Sequence, residues 1–537
     1  MNERFARSGQ LLVIYLKRDW KKIAVWILFL GLFGGAFVPA FEEITAGQGL
    51  VGMFHTLNNP VMTTMVGITP IDVAENYTLG AMYSHTMLLF TGLFSAIISG
   101  LHVVSHTREA EDSGITELVS SFSVGRQANS LAVMLEILII NSLLALFIAL
   151  TMISFGIDSI NMEGSFLFAI SIGMAGLLGA VISLVMAQIM PTSGGATGST
   201  LGIIGMFYLV RGMTDIMNPS WTLSNPMGWI YLTYPFTENN WNLLALSASF
   251  SIVLLVFAFI LEEKRDIGSG YLYQSTGRAR ASKPLLSIPG VFLRLTRAMI
   301  ISWLVAFSLM GLAYGSIYGD LQTFVESNEL ISQMFQAENT SIEASFTAII
   351  MVVLIGLVAI LPIALINKLF NEEKSLHLNQ IFATKVSRFN IYWTTVAVAI
   401  LIGMIGIFLS ASSLGLAATM TMATTEAFGM NDFILAGFSQ APVVFFFIGL
   451  TGLTLGLLPK FGKYIYLYLA YSFLVVYLQD LLNFPTWLAN TSIQTWLPQL
   501  PVDEFNLTIF ITIIIISIVM MLIGYYGYQR RDLVEEY

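Results

Sequence analysis

FYLVRGMTDIMNPSWTLSNPMGWIYLTYPFTENNWNLLALSASFSIVLLVFAFILEEKRDI, residues 207–267, is echoed 266 positions later by residues 473–533, with 12 identities in the 61 positions. Phe207, Val210, Pro219, Trp221, Pro235, Glu238, Asn240, Ser251, Ile252, Val253, Arg265 and Asp266 are repeated as Phe473, Val476, Pro485, Trp487, Pro501, Glu504, Asn506, Ser517, Ile518, Val519, Arg531 and Asp532. The polar, Pro and Trp matches carry the weight, because Ile and Val coincide cheaply in apolar sequence. A long chain made of two similar halves is a common plan for transporters.

The surrounding composition decides what kind of halves these are. The chain is 56% hydrophobic and 11% charged over 537 residues, whereas a soluble domain carries about 25% charged residues. Twelve apolar windows of spanning length fall near 23–41, 80–104, 129–153, 165–189, 196–212, 241–261, 297–317, 345–368, 390–412, 434–457, 464–482 and 506–527. The expected fold is therefore all-α and polytopic, with twelve transmembrane helices. Residues 1–267 form a first six-span half, 268–292 a cytoplasmic linker rich in Gly, Ser, Arg and Pro, and 293–537 a second six-span half. The first window is too long and poorly flanked for a cleaved signal peptide, so the N-terminus is expected to stay attached.

Basic residues set the orientation. With both termini in the cytoplasm, 23 of the 24 Lys and Arg fall on the cytoplasmic side, and Arg211 alone dissents. An even number of spans per half makes the two repeats parallel, related by an axis along the membrane normal.

Residues 4–22 interleave Phe5, Leu12, Tyr15, Leu16 and Trp20 with Arg and Lys, the pattern of an amphipathic helix in the headgroups. Two cytoplasmic loops are longer than a connection needs. Glu111, Ser113, Val124 and Arg126 in the first match Glu373, Ser375, Val386 and Arg388 in the second at an offset of 262. Ile115, Leu118, Val119 and Phe122 sit at i, i+3, i+4 and i+7, which gives a short helix one apolar face. Such a duplicated helix either receives force from a soluble partner or anchors its loop at the interface. On the outer side, Asp215, Pro219, Trp221 and Pro235 face Asp480, Pro485, Trp487 and Pro501. Pro stops helices and Trp prefers interfaces, so these loops read as broken, re-entrant hairpins. They serve as a lid over an exit or as interfacial turns.

Little catalytic chemistry is visible. The chain has no cysteine and no Gly-x4-Gly-Lys-Ser/Thr loop, and its five histidines show no metal-ligand spacing to this reading. No catalytic, cofactor or metal set is expected, nor a nucleic-acid partner. Glu136, about two turns into the third span, is the one clear intramembrane carboxylate. It faces protein or water because exposure to lipid costs about 2.5–3.5 kcal/mol. It binds a cationic substrate, or Arg211 or a hydroxyl satisfies it. Gly194, Gly198 and Gly202 fall on one face of the fifth span, a close-packing face.

Three motifs in this order resemble the permease subunits of ATP-binding-cassette exporters of the polyketide-antibiotic (tetronasin-type) family. They are the acidic loop ending in Val124-Gly125-Arg126, the loop with Trp221, Asn225-Pro226 and Gly228-Trp229, and Lys264-Arg265-Asp266-Ile267-Gly268-Ser269-Gly270. The family more often has Ser-Pro at the position of Asn225-Pro226, and the second half matches less well. The resemblance implies an internal pseudo-dimer in a bacterial cell membrane, driven by two copies of a separate ATPase that carries the ATP and Mg. It implies that the loops with Glu111, Glu117, Arg126, Glu373 and Arg388 contact those ATPases. Glu136, Arg211, Asp215, Trp221, Asp480 and Trp487 remain as cavity or gate candidates. A hydrophobic antibiotic or ionophore is the implied substrate. The alternative is a proton-coupled secondary drug transporter of the major-facilitator type, which also has two six-span halves. That type carries a short loop with Gly-x3-Asp-Arg-x-Gly-Arg-Arg after its second span, where this chain has a longer acidic one.

Overall fold

The computed structural model describes residues 3–45, 49–58, 60–273, 280–321, 341–422, 429–482 and 485–532. Among these the secondary structure is helical, with no strand. The long helices are α1 (Ser8–Gly35), α2 (Leu79–His106), α3 (Ala128–Ser154), α4 (Met162–Ile189), α5 (Ser193–Met217) and α6 (Asn242–Lys264). The chain continues with α7 (Ile288–Gly315), α8 (Ile342–Lys374), α9 (Arg388–Thr421), α10 (Met430–Leu457, interrupted at Gln440), α11 (Ile465–Leu482) and α12 (Leu507–Arg530). Eleven of these are long and apolar enough to cross a membrane, which makes the chain a multi-pass membrane protein. The eleventh sequence window coincides with α11, an 18-residue helix that is not among the eleven.

Short polar side chains start these helices where the apolar runs begin. Thr78, Asn161, Thr192, Ser287, Ser341, Ser387 and Asn506 each accept a hydrogen bond from a backbone N–H of the first turn of their helix. Such caps satisfy donors that lipid cannot.

The described chain divides into two compact units, Met1–Gly277 and Arg278–Tyr537. In the first, α1 packs on α3, α2 on α4, and α4 on α6; in the second, α7 packs on α9, α8 on α10, and α10 on α12. Hydrogen bonds sort the first unit into two ends. Residues near 4, 108–127, 188–193 and 259–269 gather at one, which we call the basic end. Residues near 63–65, 80–84, 159–163 and 211–241 gather at the far end.

Two expectations change here. Residues 4–22 are not a separate interfacial helix: a 3-10 turn at Glu3–Phe5 leads into α1, which runs unbroken through the first span. No proline interrupts it, and 28 residues at 1.5 Å each outreach a hydrocarbon core of about 30 Å. Gly194, Gly198 and Gly202 also make no close contact among the described residues: a Cβ added at any of them meets none of their atoms within 4 Å.

The close-packing glycines lie elsewhere. A Cβ on Gly179 of α4 would stand 2.2 Å from the carbonyl oxygen of Ala96 on α2. In the second unit, one on Gly456 of α10 would stand 1.9 Å from the carbonyl oxygen of Gly524 on α12. Backbone cannot retreat as a flexible side chain can. Gly456→Leu is therefore expected to cost at least about 3 kcal/mol, the upper end of overpacking penalties. A melting temperature in detergent equal to that of the unaltered chain would refute this.

Candidate functional site

At the basic end of the first unit, Glu111 grips Arg265 with both carboxylate oxygens. Arg265 also donates to Gln188 Oε1 at 2.6 Å and to the Ser269 carbonyl at 2.7 Å. Arg126 donates to the carbonyls of Glu262 and Arg265, at the C-terminus of α6. The second unit repeats the arrangement. Glu373 binds Arg531 through both oxygens at 2.5 and 2.6 Å. Arg388 donates to the carbonyls of Tyr528, Gln529 and Arg531 at 3.0, 3.2 and 2.6 Å. A cation there satisfies the last carbonyls of a helix and opposes its dipole. Each unit thus has a carboxylate–arginine clasp and a capping arginine.

In the acidic loops the side chains of Glu111, Arg126, Glu373 and Arg388 tie the loop to the end of the sixth or twelfth long helix. Their geometry makes them positioning residues. Glu373 is buried, and a buried charge needs a partner, which it finds within its unit in Arg531. Arg108, which the sequence reading passed over, is fully buried. It donates to Glu111 and to the carbonyls of Pro191, Gly268 and Ser269. Glu117 is exposed on the short helix Ile115–Ser120, whose Ile115 and Leu118 are also exposed, as is Phe122 beyond it. The matching helix His377–Phe382 instead turns Leu378 into the core of its unit.

The far end of the first unit holds a buried ion pair. Arg211 and Asp215, one turn apart on α5, meet at 2.9 Å, both fully enclosed. Arg211 donates to the carbonyls of Thr63 and Thr64, and lies over the rings of Tyr208 and Tyr231 at 4.8 and 5.6 Å. Asp215 accepts from Thr222 at 2.7 Å and from Tyr231 at 2.6 Å. Burial, and then the adjacent Asp215 charge, push the Tyr231 phenol far above its ordinary pKa, so it remains a donor. The pair therefore pins two segments onto α5: the short helix Pro60–Val66, and the broken stretch made of Pro219–Thr222 and Gly228–Tyr231. In this geometry Arg211 and Asp215 form a lock within the first unit. Trp221 is 57% and Trp487 68% exposed, so neither closes over anything within its own unit. The side chain of Asp480 lies outside the described residues.

Glu136 is fully buried, and its partner is neither Arg211 nor a hydroxyl. His102 Nε2 lies 3.1 Å from Glu136 Oε2. His106, one turn further along α2, stacks on His102 with ring centroids 4.0 Å apart, and its Nε2 is 2.9 Å from Asp19 Oδ2. One ligand atom each from His102, His106 and Glu136 lie within 4.8 Å of one another, so these three have the geometry to hold a metal ion. The i, i+4 spacing of His102 and His106 was legible and should have been read as ligand spacing. Asp19 carried no such signal, because it reaches the cluster from another helix.

Each unit also has an apolar groove between long helices. One of about 360 Å³ is lined by Leu138, Leu146, Phe166, Ile170 and Met174 with the polar Asn141. The other, of about 270 Å³, is lined by Val353, Leu357, Ile360, Tyr466, Leu469 and Phe473. Both have the size and lining to accept hydrocarbon or aromatic groups.

Residues 285–529 match the family model described as the C-terminal domain of the multidrug efflux system permease Rv1217c. Over 535 residues the chain is 24% identical to the multidrug efflux system permease protein Rv1217c of Mycobacterium tuberculosis (strain ATCC 25618 / H37Rv). That alignment covers 98% of this chain and 95% of the relative.

Proposed function

We propose, with the end-to-end similarity to a multidrug efflux permease as the premise, that this chain is the membrane-spanning permease of an ATP-driven exporter of hydrophobic compounds. The observation that carries the reading is the duplicated clasp. Two loops, each fastened by an acid–arginine pair to the last long helix of its unit, would convert force on the loop into movement of a whole helical unit. The chain has no phosphate-cradling loop of its own, so ATP hydrolysis belongs on separate subunits, two copies by the two-fold logic of the repeat. In this reading the basic ends and both termini are cytoplasmic, the twelve long helices are twelve spans in two parallel halves, and the halves alternate access to a hydrophobic drug, antibiotic or ionophore.

The clasps hold each loop in place, and the exposed apolar surface does the docking. Ile115, Leu118 and Phe122 stand out of the first unit beside Glu117, a pattern suited to a groove on a soluble partner. Leu118→Asp combined with Phe122→Asp is expected to weaken ATPase association by at least about tenfold, the loss typical of central apolar anchors. Binding of purified ATPase to the permease in nanodiscs reads this directly, and unchanged affinity would remove the helix from the interface. The broader reading is tested by efflux from proteoliposomes. Transport should follow ATP and the ATPase; transport that follows a proton gradient without them would overturn it.

A further inference from the structure

The transport reading leaves one buried cluster unused, where α1, α2 and α3 meet. His102 and Glu136 face each other at 3.1 Å, and His106 and Asp19 at 2.9 Å. The other oxygen of Glu136, Oε1, is buried and has no hydrogen-bond partner among the described residues; Trp26 Nε1, on the ring beside His102, is in the same position. His106 Nδ1 sits 3.0 Å from the carbonyl oxygen of His102. A carbonyl only accepts, so Nδ1 carries the hydrogen, and Nε2, which faces the Asp19 carboxylate, is the nitrogen a metal would take in place of the hydrogen it shares with Asp19. A backbone carbonyl commonly orients a metal-bound histidine in this way.

We infer that His102, His106 and Glu136 form a binding site for a divalent first-row transition-metal ion, zinc in the first instance. Asp19 supplies a second negative charge beside it. Arg18 and Lys22 flank Asp19 on its outer side, at 2.8 and 3.4 Å, and both are substantially exposed. The His102 side chain is 11% exposed, so the cluster lies just beneath the surface. Two imidazole nitrogens and a carboxylate suit zinc, cobalt, nickel or copper, and disfavour magnesium and calcium, which take all-oxygen shells. The His102 Nε2 to Glu136 Oε2 separation of 3.1 Å is already of the order that two ligands about 2.0–2.2 Å from one tetrahedral zinc would have. At the 262-residue offset the second half has Ala364, Lys368 and Val398 instead, so the site occurs once per chain.

The test uses the full chain, purified in detergent without a polyhistidine tag and stripped with chelator. Equilibrium dialysis against zinc, with the metal counted by mass spectrometry, should give one zinc per chain, and excess magnesium should not displace it. Cobalt in place of zinc should give the visible absorption of a low-symmetry nitrogen–oxygen site. His102→Gln and Glu136→Gln should each lower zinc affinity on the order of 100-fold or more, beyond the losses known for mere supporting residues. The cobalt spectrum is read on the unaltered chain, so it decides even if a variant fails to fold. Absence of both stoichiometric zinc and the cobalt bands would overturn the site, as would full zinc binding in a folded His102→Gln/Glu136→Gln double variant.

Discussion

Arg211→Met is expected to destabilise the first unit by about 3–5 kcal/mol, the cost of leaving one member of a buried ion pair unpaired. The substitution strands Asp215 in an enclosed site and removes the donor to the carbonyls of Thr63 and Thr64. Thr222 and Tyr231 would still donate to Asp215, but two neutral donors do not replace a guanidinium. The double variant Arg211→Met/Asp215→Leu should recover most of the loss, because replacing a whole buried pair with apolar groups is often close to neutral. It should not recover all of it, since the two carbonyls stay unserved. Thermal unfolding of the single and double variants in one detergent separates the cases. If Arg211 were instead a substrate-binding group, the single variant would melt normally and fail only in transport.

The second large effect concerns the clasp of the second unit. Glu373→Arg is expected to cost about 3–5 kcal/mol and, on the proposed function, to abolish ATP-driven efflux, because it sets two cations against each other in a site where Glu373 is almost fully buried. Exchanging the pair, with Glu373→Arg and Arg531→Glu in one chain, restores opposite charges that can again meet through two parallel bonds. Most of the stability and a substantial share of the efflux should return. A docking charge behaves differently: the exchanged chain would fold and yet still fail to bind its ATPase. That outcome would return Glu373 to the partner interface.

Helical class and the existence of nearly every long element were legible because twenty apolar residues in a row leave the backbone no alternative in lipid. The repeat was legible for a chemical reason as well. Arg265 and Arg531 stood out in the sequence, and they are the two residues that clasp Glu111 and Glu373. The direction of those charges was not legible. Spacing shows that Glu111 and Arg126 lie in one loop, but not that the end of α6, more than 130 residues away, comes to meet them. The same limit hid Asp19 from the histidines. Gly194, Gly198 and Gly202 show a different limit: small residues at helical spacing permit close packing without requiring it, and among the described residues tight helix contacts are at Gly179, Gly456 and Gly524.

The clasps also bear on how the chain is made. Each joins residues 154 or 158 positions apart, so neither can close until the last helix of its own unit has left the ribosome. The first clasp closes while most of the second half is still unsynthesised, and the second waits until Arg531 has been made. A nascent chain cut short before Arg265 or Arg531 lacks the clasp of that unit, so its acidic loop has no tie to the last long helix, a loosened end that a protease sampling unstable membrane proteins can recognise.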